Sequence, residues 1–466
     1  MHKVNVNGKL LYAEDGELLS ALLMRHGMKL AHPCGGRGIC RKCTVSVNGI
    51  EVLSCRYPIT SDISVLLPQE DTIVSESGAT ESGKITQNLC FALDIGTTTL
   101  ALALVSLDEH QIIRVSTAVN PQKVFGADVI SRINYCKKHG TKELQEILIE
   151  QIDRMIAEFC VPRVEALYVA GNTTMLHLFL GVDCSSIGAA PYTPAFLDSK
   201  RLPAEELKIT GVRQVITLPG ISSFVGADLV AGLNYVGTPP VGKYRLLVDL
   251  GTNAEVVLYS QESGLCTAAA AGPCFEGTNI SCGMSATKGA IRAFAINEQG
   301  KKLIQTIEDA PPRGLCGTGL IDAVAALLER EELDETGRLE NDPYPLTDHI
   351  ALTQGDIRQF QLAKSAVCAA ILTLMHLQNI PFDQIERVYL SGGFSAHIDL
   401  QNAARTGLLP PALTDRCVSV NNSSLLGTVK YAYEANDLTK YTNRTQYADL
   451  SADPYFSEAF IEQMLF

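Results

Sequence analysis

The sequence has no Lys/Arg-rich block, and its 51 acids against 38 bases leave a formal charge of −13. Nucleic acid and anionic membranes recruit proteins through a basic electrostatic footprint, so neither is expected as a partner. Also lacking is the apolar stretch of a signal peptide: the opening MHKVNVNGKLLYAEDG alternates polar and apolar residues as a strand does, and the expected location is cytoplasmic. Long uninterrupted apolar runs are missing too. The most apolar window, Leu89 to Leu107, is broken by Asp94 and the Gly-Thr run after it, which a membrane helix would not carry. What the chain does have is fourteen cysteines. Without an export signal these point to a reducing compartment, where clustered thiols bind metal or do redox chemistry.

A length of 466 residues suits about three domains. Residues 1–68 are strand-like at both ends, KVNVNGKLLY and DISVLLP, with a helical stretch between Glu17 and Gly27, which predicts a compact α+β module. Residues 69–88 are rich in Ser, Thr, Glu and Gly, as a flexible linker is. Residues 89–466 alternate β-branched runs such as FALDIGTTTLALALV and RLLVDLGTNAEVVLY with amphipathic stretches such as KELQEILIEQIDRMIAEF, the mark of an α/β body. Within it Asp94-Ile-Gly-Thr-Thr-Thr echoes Asp249-Leu-Gly-Thr-Asn, which predicts a duplication into halves of about 89–240 and 241–435 around one cleft. A weaker echo links Phe125-Gly-Ala-Asp to Val225-Gly-Ala-Asp. The tail from Asn436 to Phe466, strand-like and then helical, is left to pack on the body or on a second copy in a homodimer.

Four thiols, Cys34, Cys40, Cys43 and Cys55, fall within 22 residues in the spacing C-x5-C-x2-C-x11-C. An iron–sulfur cluster needs four thiolates converging on a small core, and Gly35, Gly36 and Gly38 let the backbone wrap it with N–H groups facing the sulfurs. TVSVNGIEVLSC reads as a hairpin turning at Asn48-Gly49 that carries Cys55 back to the other three. Zinc is the competing occupant, but zinc ribbons usually pair two CxxC knuckles and only one is present. The loop resembles those of plant-type and vertebrate-type [2Fe–2S] ferredoxins, with a final gap like that of fumarate reductase and succinate dehydrogenase iron–sulfur subunits. That resemblance implies a ferredoxin-like (β-grasp) fold for the front module. The ten remaining cysteines are scattered singly and read as small buried hydrophobes.

A strand ending in Asp-x-Gly-Thr and turning into a second strand offers amides and hydroxyls to phosphate, while its aspartate can hold hydrated Mg2+. Two such hairpins facing each other would clamp a triphosphate. Asp228 opens a predicted helix after LPGISSFVGA. It is either a first-turn acid favoured by the helix field or a base that orients water, and Asp128 poses the same choice with more weight on capping. Glycine-rich turns at Gly314–Gly319 and Leu390–Phe394 either admit a ligand or serve backbone packing.

In this order the loops resemble the superfamily of acetate and sugar kinases, heat-shock chaperones and actin. The likeness implies that Asp94, Gly96, Thr97 and Thr98 form a first phosphate loop, and Asp249, Gly251, Thr252 and Asn253 a second. It further implies that Gly392 and Gly393 meet adenosine and that Asp228 stands where sugar kinases keep their catalytic aspartate; Gly317 and Gly319, from the earlier glycine-rich turn, are further candidates for cofactor contact. NPQKVFGADVISRI, AGNTTMLHLFLG, AAAAGPCFEGTNISCGM, GLCGTGLIDAVAALL and VNNSSLLGT are similar to segments of the ATP-dependent reductive activators of corrinoid proteins. The larger relatives carry a linker and middle domain ahead of the ATPase body, whereas here the tether is expected to run almost directly into it. This family implies an ATP hydrolase coupled to one-electron transfer from a [2Fe–2S] cluster, with a Co(II) corrinoid protein as acceptor and a low-potential protein as donor. Three other readings compete: an activator of a radical dehydratase, a redox-sensing small-molecule kinase, and an electron carrier with a degenerate ATPase body.

Overall fold

The computed structural model describes residues 1–26, 28, 43–67, 88–251, 253–393 and 395–466. Period-2 alternation in the opening residues produces an antiparallel pair, His2–Val6 with Lys9–Ala13. His2–Val6 also pairs in parallel with Ile63–Leu66, and Thr44–Val47 and Ile50–Leu53 complete a five-stranded sheet by turning at Asn48-Gly49. Positive φ at both turn residues, 51° and 85°, is the conformation that Asn-Gly tolerates and two-residue hairpins require. Leu19, Leu22 and Leu23 of the helix Leu19–Arg25 join Val4, Val6 and Val65 in one small core.

Two six-stranded sheets follow. The first runs Arg201–Pro203, Val212–Thr217, Val164–Gly171, Leu89–Ile95, Thr99–Ser106, Gln111–Val119. The second runs Cys417–Ser419, Ile385–Ser391, Tyr244–Leu250, Ala254–Tyr259, Gly264–Ala269, Thr445–Tyr447. In each, an antiparallel three-strand meander is extended by two parallel strands on the side of its first strand. The two Asp-x-Gly-Thr segments therefore occupy equivalent turns of equivalent sheets. The tail beyond residue 435 contributes the last edge strand of the second sheet.

Strand Leu89–Ile95 is apolar throughout except Asp94 because both its faces are covered. Phe91 and Leu93 point into the core of the first half, while Cys90 and Ala92 meet Leu425, Val429 and Ala432 of the helix Ser423–Glu434. That helix crosses Ala227–Val236 so closely that a Cβ on Gly427 would overlap the Ala231 carbonyl. The 24-residue helix Gln354–Leu377 is long and apolar enough to span a membrane, yet Phe360, Val367, Ile371 and Leu374 are fully buried in the second half. The tail packs on it within the same chain: Gln361 Nε2 donates to the Met464 carbonyl at 2.6 Å and Ser365 Oγ to the Gln463 carbonyl at 2.7 Å.

Gly427→Ala is expected to destabilise the two-sheet body by about 3 kcal/mol, the scale of overpacking a close crossing. Gly393→Ala, whose Cβ meets nothing within 4 Å among the described residues, serves as the reference. Thermal unfolding should show a lowered midpoint for the first variant and little change for the second.

Candidate functional site

Both loop aspartates terminate on one helix N-terminus. Asp94 ends its strand with Oδ2 accepting from Asn422 Nδ2 at 2.6 Å and Oδ1 from Ser424 Oγ at 2.7 Å. Asn422 also caps the helix Ser423–Glu434 by accepting from the Leu425 amide at 2.8 Å. In the other half Asp249 is hydrogen-bonded by Ser391, whose Oγ lies 2.7 Å from Ser423 Oγ. A helix N-terminus favours negative charge, so this segment is a fit receptor for two carboxylates.

Two further acids stand beside them. Asp228 is the second residue of the helix Ala227–Val236, whose N-cap is Gly226, so it does not cap the helix. Its charge faces those of Asp249 and Asp94; burial first, and those two carboxylates second, push it up to about 7. Burial likewise pushes Asp249 up to about 6, with Asp94 adding to the rise and the Ser391 hydroxyl opposing it. Burial raises Asp94 as well, against its two hydrogen bonds. Glu255 lies directly across the hairpin from Asp249 and is raised well above its ordinary value by burial and by Asp228 and Asp249. Asp128, by contrast, is a true N-cap, accepting from the Ser131 amide at 2.7 Å and Ser131 Oγ at 3.0 Å. The two Gly-Ala-Asp echoes thus differ by two helical positions, N-cap against second residue, and only the second turns its acid toward Asp94 and Asp249.

The first loop is tied from behind. Asn120 Nδ2 donates to the Gly96 carbonyl at 2.8 Å, Arg132 Nη2 to the Thr97 carbonyl at 2.6 Å and Asn172 Nδ2 to Thr97 Oγ1 at 3.1 Å. Thr98 Oγ1 reaches across the cleft to Glu276 Oε2 at 3.4 Å. In the second loop the Gly251 amide donates to the Asn253 carbonyl at 3.0 Å; Thr252 lies outside the described residues. Gly392, at φ 115°, packs where any Cβ would overlap the Leu250 carbonyl, whereas a Cβ on Gly393 would meet nothing within 4 Å among the described residues. Gly317 and Gly319 are buried at the start of the helix Gly317–Glu329, where side chains would overlap the Phe275 and Ile291 carbonyls.

In the front module Cys43 and Cys55 are buried with their sulfurs 3.3 Å apart, while Cys34 and Cys40, like Gly35, Gly36, Gly38 and linker residues 69–87, lie outside the described residues. Among the described residues no three metal-ligating side chains converge.

Sequence reasoning singled out the loops but not Asn120, Arg132, Asn172, Glu255, Ser391, Asn422 or Ser424. Five of these sit in three segments already marked by family likeness: NPQKVFGADVISRI, AGNTTMLHLFLG and VNNSSLLGT. Glu255 was within reach of hairpin register, since a three-residue loop after Leu250 puts position 255 opposite 249.

Residues 89–238 match the model of the RACo middle region, and residues 243–466 that of the C-terminal domain of RACo, the ASKHA domain. The first match corrects the expectation that the middle domain is missing: it is the half of the body that carries the first sheet. Corrinoid activation enzyme RamQ of Eubacterium limosum is 29% identical over 416 residues, covering 80% of this chain and 70% of its own. The [Co(II) methylated amine-specific corrinoid protein] reductase of Methanosarcina barkeri is 28% identical over 369 residues, 72% of this chain and 68% of its own. A solved reductive activator for a corrinoid, iron–sulfur protein superposes with a TM-score of 0.74 at 26% identity, covering 100% of this chain and 98% of its own. With two successive models of one protein matched across both repeated halves, the chain belongs to the RACo family of reductive activators.

Proposed function

We propose that the chain is an ATP-dependent reductive activator that returns an inactive Co(II) corrinoid protein to Co(I) for a methyltransferase system. The observation that carries this reading is the likeness, along the whole chain, to a reductive activator for a corrinoid, iron–sulfur protein. The division of labour follows from the two parts. Cys34, Cys40, Cys43 and Cys55 would hold a [2Fe–2S] cluster in a ferredoxin-like β-grasp module; the five-stranded sheet and the facing Cys43 and Cys55 sulfurs suit it. Bound there, such a cluster supplies a one-electron carrier, at about −400 mV for the plant type. A separate low-potential protein recharges it.

Reduction of Co(II) corrinoid is uphill for such a carrier, and each ~59 mV of gap costs a factor of ten in the one-electron equilibrium. Nucleotide binding offsets that cost only if its states bind the corrinoid partner differently. The cleft residues suit that role, since Gly96, Thr97, Thr98 and Gly251, Thr252, Asn253 meet phosphate from two halves, and Gly393 leaves room for adenosine. Asp94 and Asp249, with water, would hold Mg2+, and Asp228 orients the water that attacks the terminal phosphate. The protein works in the cytoplasm as a soluble enzyme.

Mixing the reduced protein anaerobically with a Co(II) corrinoid protein should give Co(I) absorption that rises faster and further with MgATP than without. Asp94→Ala should lose the ATP effect while keeping its iron, sulfide and EPR signal. A Co(I) yield indifferent to ATP with each corrinoid partner tried would defeat the reading.

The acids predict a pH signature in the absence of nucleotide and cation. Asp249 and Asp228 bind protons more tightly when folded, with values of about 6 and about 7, than as free carboxylates near about 3.9. Their contribution to stability is therefore complete below about pH 4 and is lost as pH rises through about 7. Thermal midpoints taken from pH 5 to 8 should fall less steeply for Asp228→Asn than for the parent chain; parallel curves would show that Asp228 does not titrate in this window.

A further inference from the structure

The first phosphate loop presents its peptide groups in an unusual state of constraint. Gly96 and Thr97 have their carbonyls taken by side chains from behind, Asn120 Nδ2 at 2.8 Å and Arg132 Nη2 at 2.6 Å. Both peptide bonds are trans, and in a trans peptide the N–H points away from the C=O of the same plane. Pinning the Gly96 carbonyl inward turns the Thr97 amide toward the cleft, and pinning the Thr97 carbonyl does the same for the Thr98 amide. Among the described residues neither amide has a hydrogen-bond partner.

Arg132 is itself fully buried. Its remaining donors reach the Gly126 carbonyl at 2.9 Å and Gln122 Oε1 at 3.2 Å, with Met175 Sδ at 3.2 Å. Among the described residues no carboxylate bonds it directly: Asp128, the acid that acts on it electrostatically, is occupied in capping Ser131. A buried cation held by neutral acceptors is costly, and an anion brought to the loop in front of it would offset that cost. Facing Asp94, Asp228, Asp249 and Glu255, a triphosphate would otherwise meet acids on several sides.

We infer that Arg132 is the positioning residue of the first phosphate loop: with Asn120 it fixes two amides toward the nucleotide phosphates and sets a positive charge behind them. The inference rests on nucleotide binding in this cleft. Adenosine, which has no phosphate, should be indifferent to Arg132, and that separates positioning from general structural damage.

The test uses the full chain with its cluster, titrated calorimetrically with MgATP and with adenosine. Arg132→Met is expected to weaken MgATP binding about 10- to 100-fold, the range for losing a charge-assisted hydrogen bond, and to leave adenosine affinity and the cluster spectrum unchanged. If Arg132→Met does not fold, Asn120→Asp takes its place, because it loses the donor to Gly96 and keeps the acceptor for the Gln122 amide; the same split is expected. Parent protein that binds neither ligand overturns the nucleotide reading and this inference together. Parent protein that binds both, with a variant that binds MgATP equally well or loses both ligands in step, overturns this inference alone.

Discussion

The N-terminus of the helix Ser423–Glu434 carries the rest of the architecture. Asn422 and Ser424 hold Asp94 of the first half, and Ser423 reaches Asp249 of the second through Ser391. The same helix then covers the back of the strand that ends in Asp94 and crosses Ala227–Val236, which ends in the turn ahead of the second sheet. One short segment thus sees both Asp-x-Gly-Thr loops, and any ligand that draws the loops together pulls on it. With cores closely packed on either side, such a pull moves whole elements and is not absorbed locally.

Without a cation the cleft is an unfavourable electrostatic arrangement. Burial raises Asp94, Asp228, Asp249 and Glu255; Asp94 adds to the rise of Asp228 and Asp249, and those two add to that of Glu255, which stands opposite Asp249 across a hairpin, a pairing of like charges that costs stability. Asp228, pushed up to about 7 by burial and its acidic neighbours, is one whose charge a bound cation would restore. Behind the first loop Arg132 has the opposite sign and is fixed in backbone bonds. Under the proposed function a magnesium-bound polyphosphate would suit this site, its cation answering the acids and its oxygens the amides.

What could be read in the sequence was local. Asn48-Gly49 announced its hairpin, the two Asp-x-Gly-Thr turns announced equivalent sheets, and Asp128 announced a cap, because each depends on neighbours within a few residues. Contacts between distant segments were not legible. Asp94 and Asn422 are 328 positions apart, and nothing in either stretch alone says that they meet. Gly317 and Gly319 were legible as a glycine-rich turn, but not that the Phe275 and Ile291 carbonyls pack against them. The middle region was overlooked since its sheet repeats the pattern of the second half, so that two family units read as one duplicated body.

If nucleotide drives an uphill electron by changing how the chain grips its acceptor, the decisive quantity is the affinity for a Co(II) corrinoid protein in defined nucleotide states. Binding of one such protein to the reduced chain should differ by about tenfold or more between the nucleotide-free form and the form saturated with a non-hydrolysable MgATP analogue, a change of about 1.4 kcal/mol in favour of one state. Equal affinities in the two states would contradict the account.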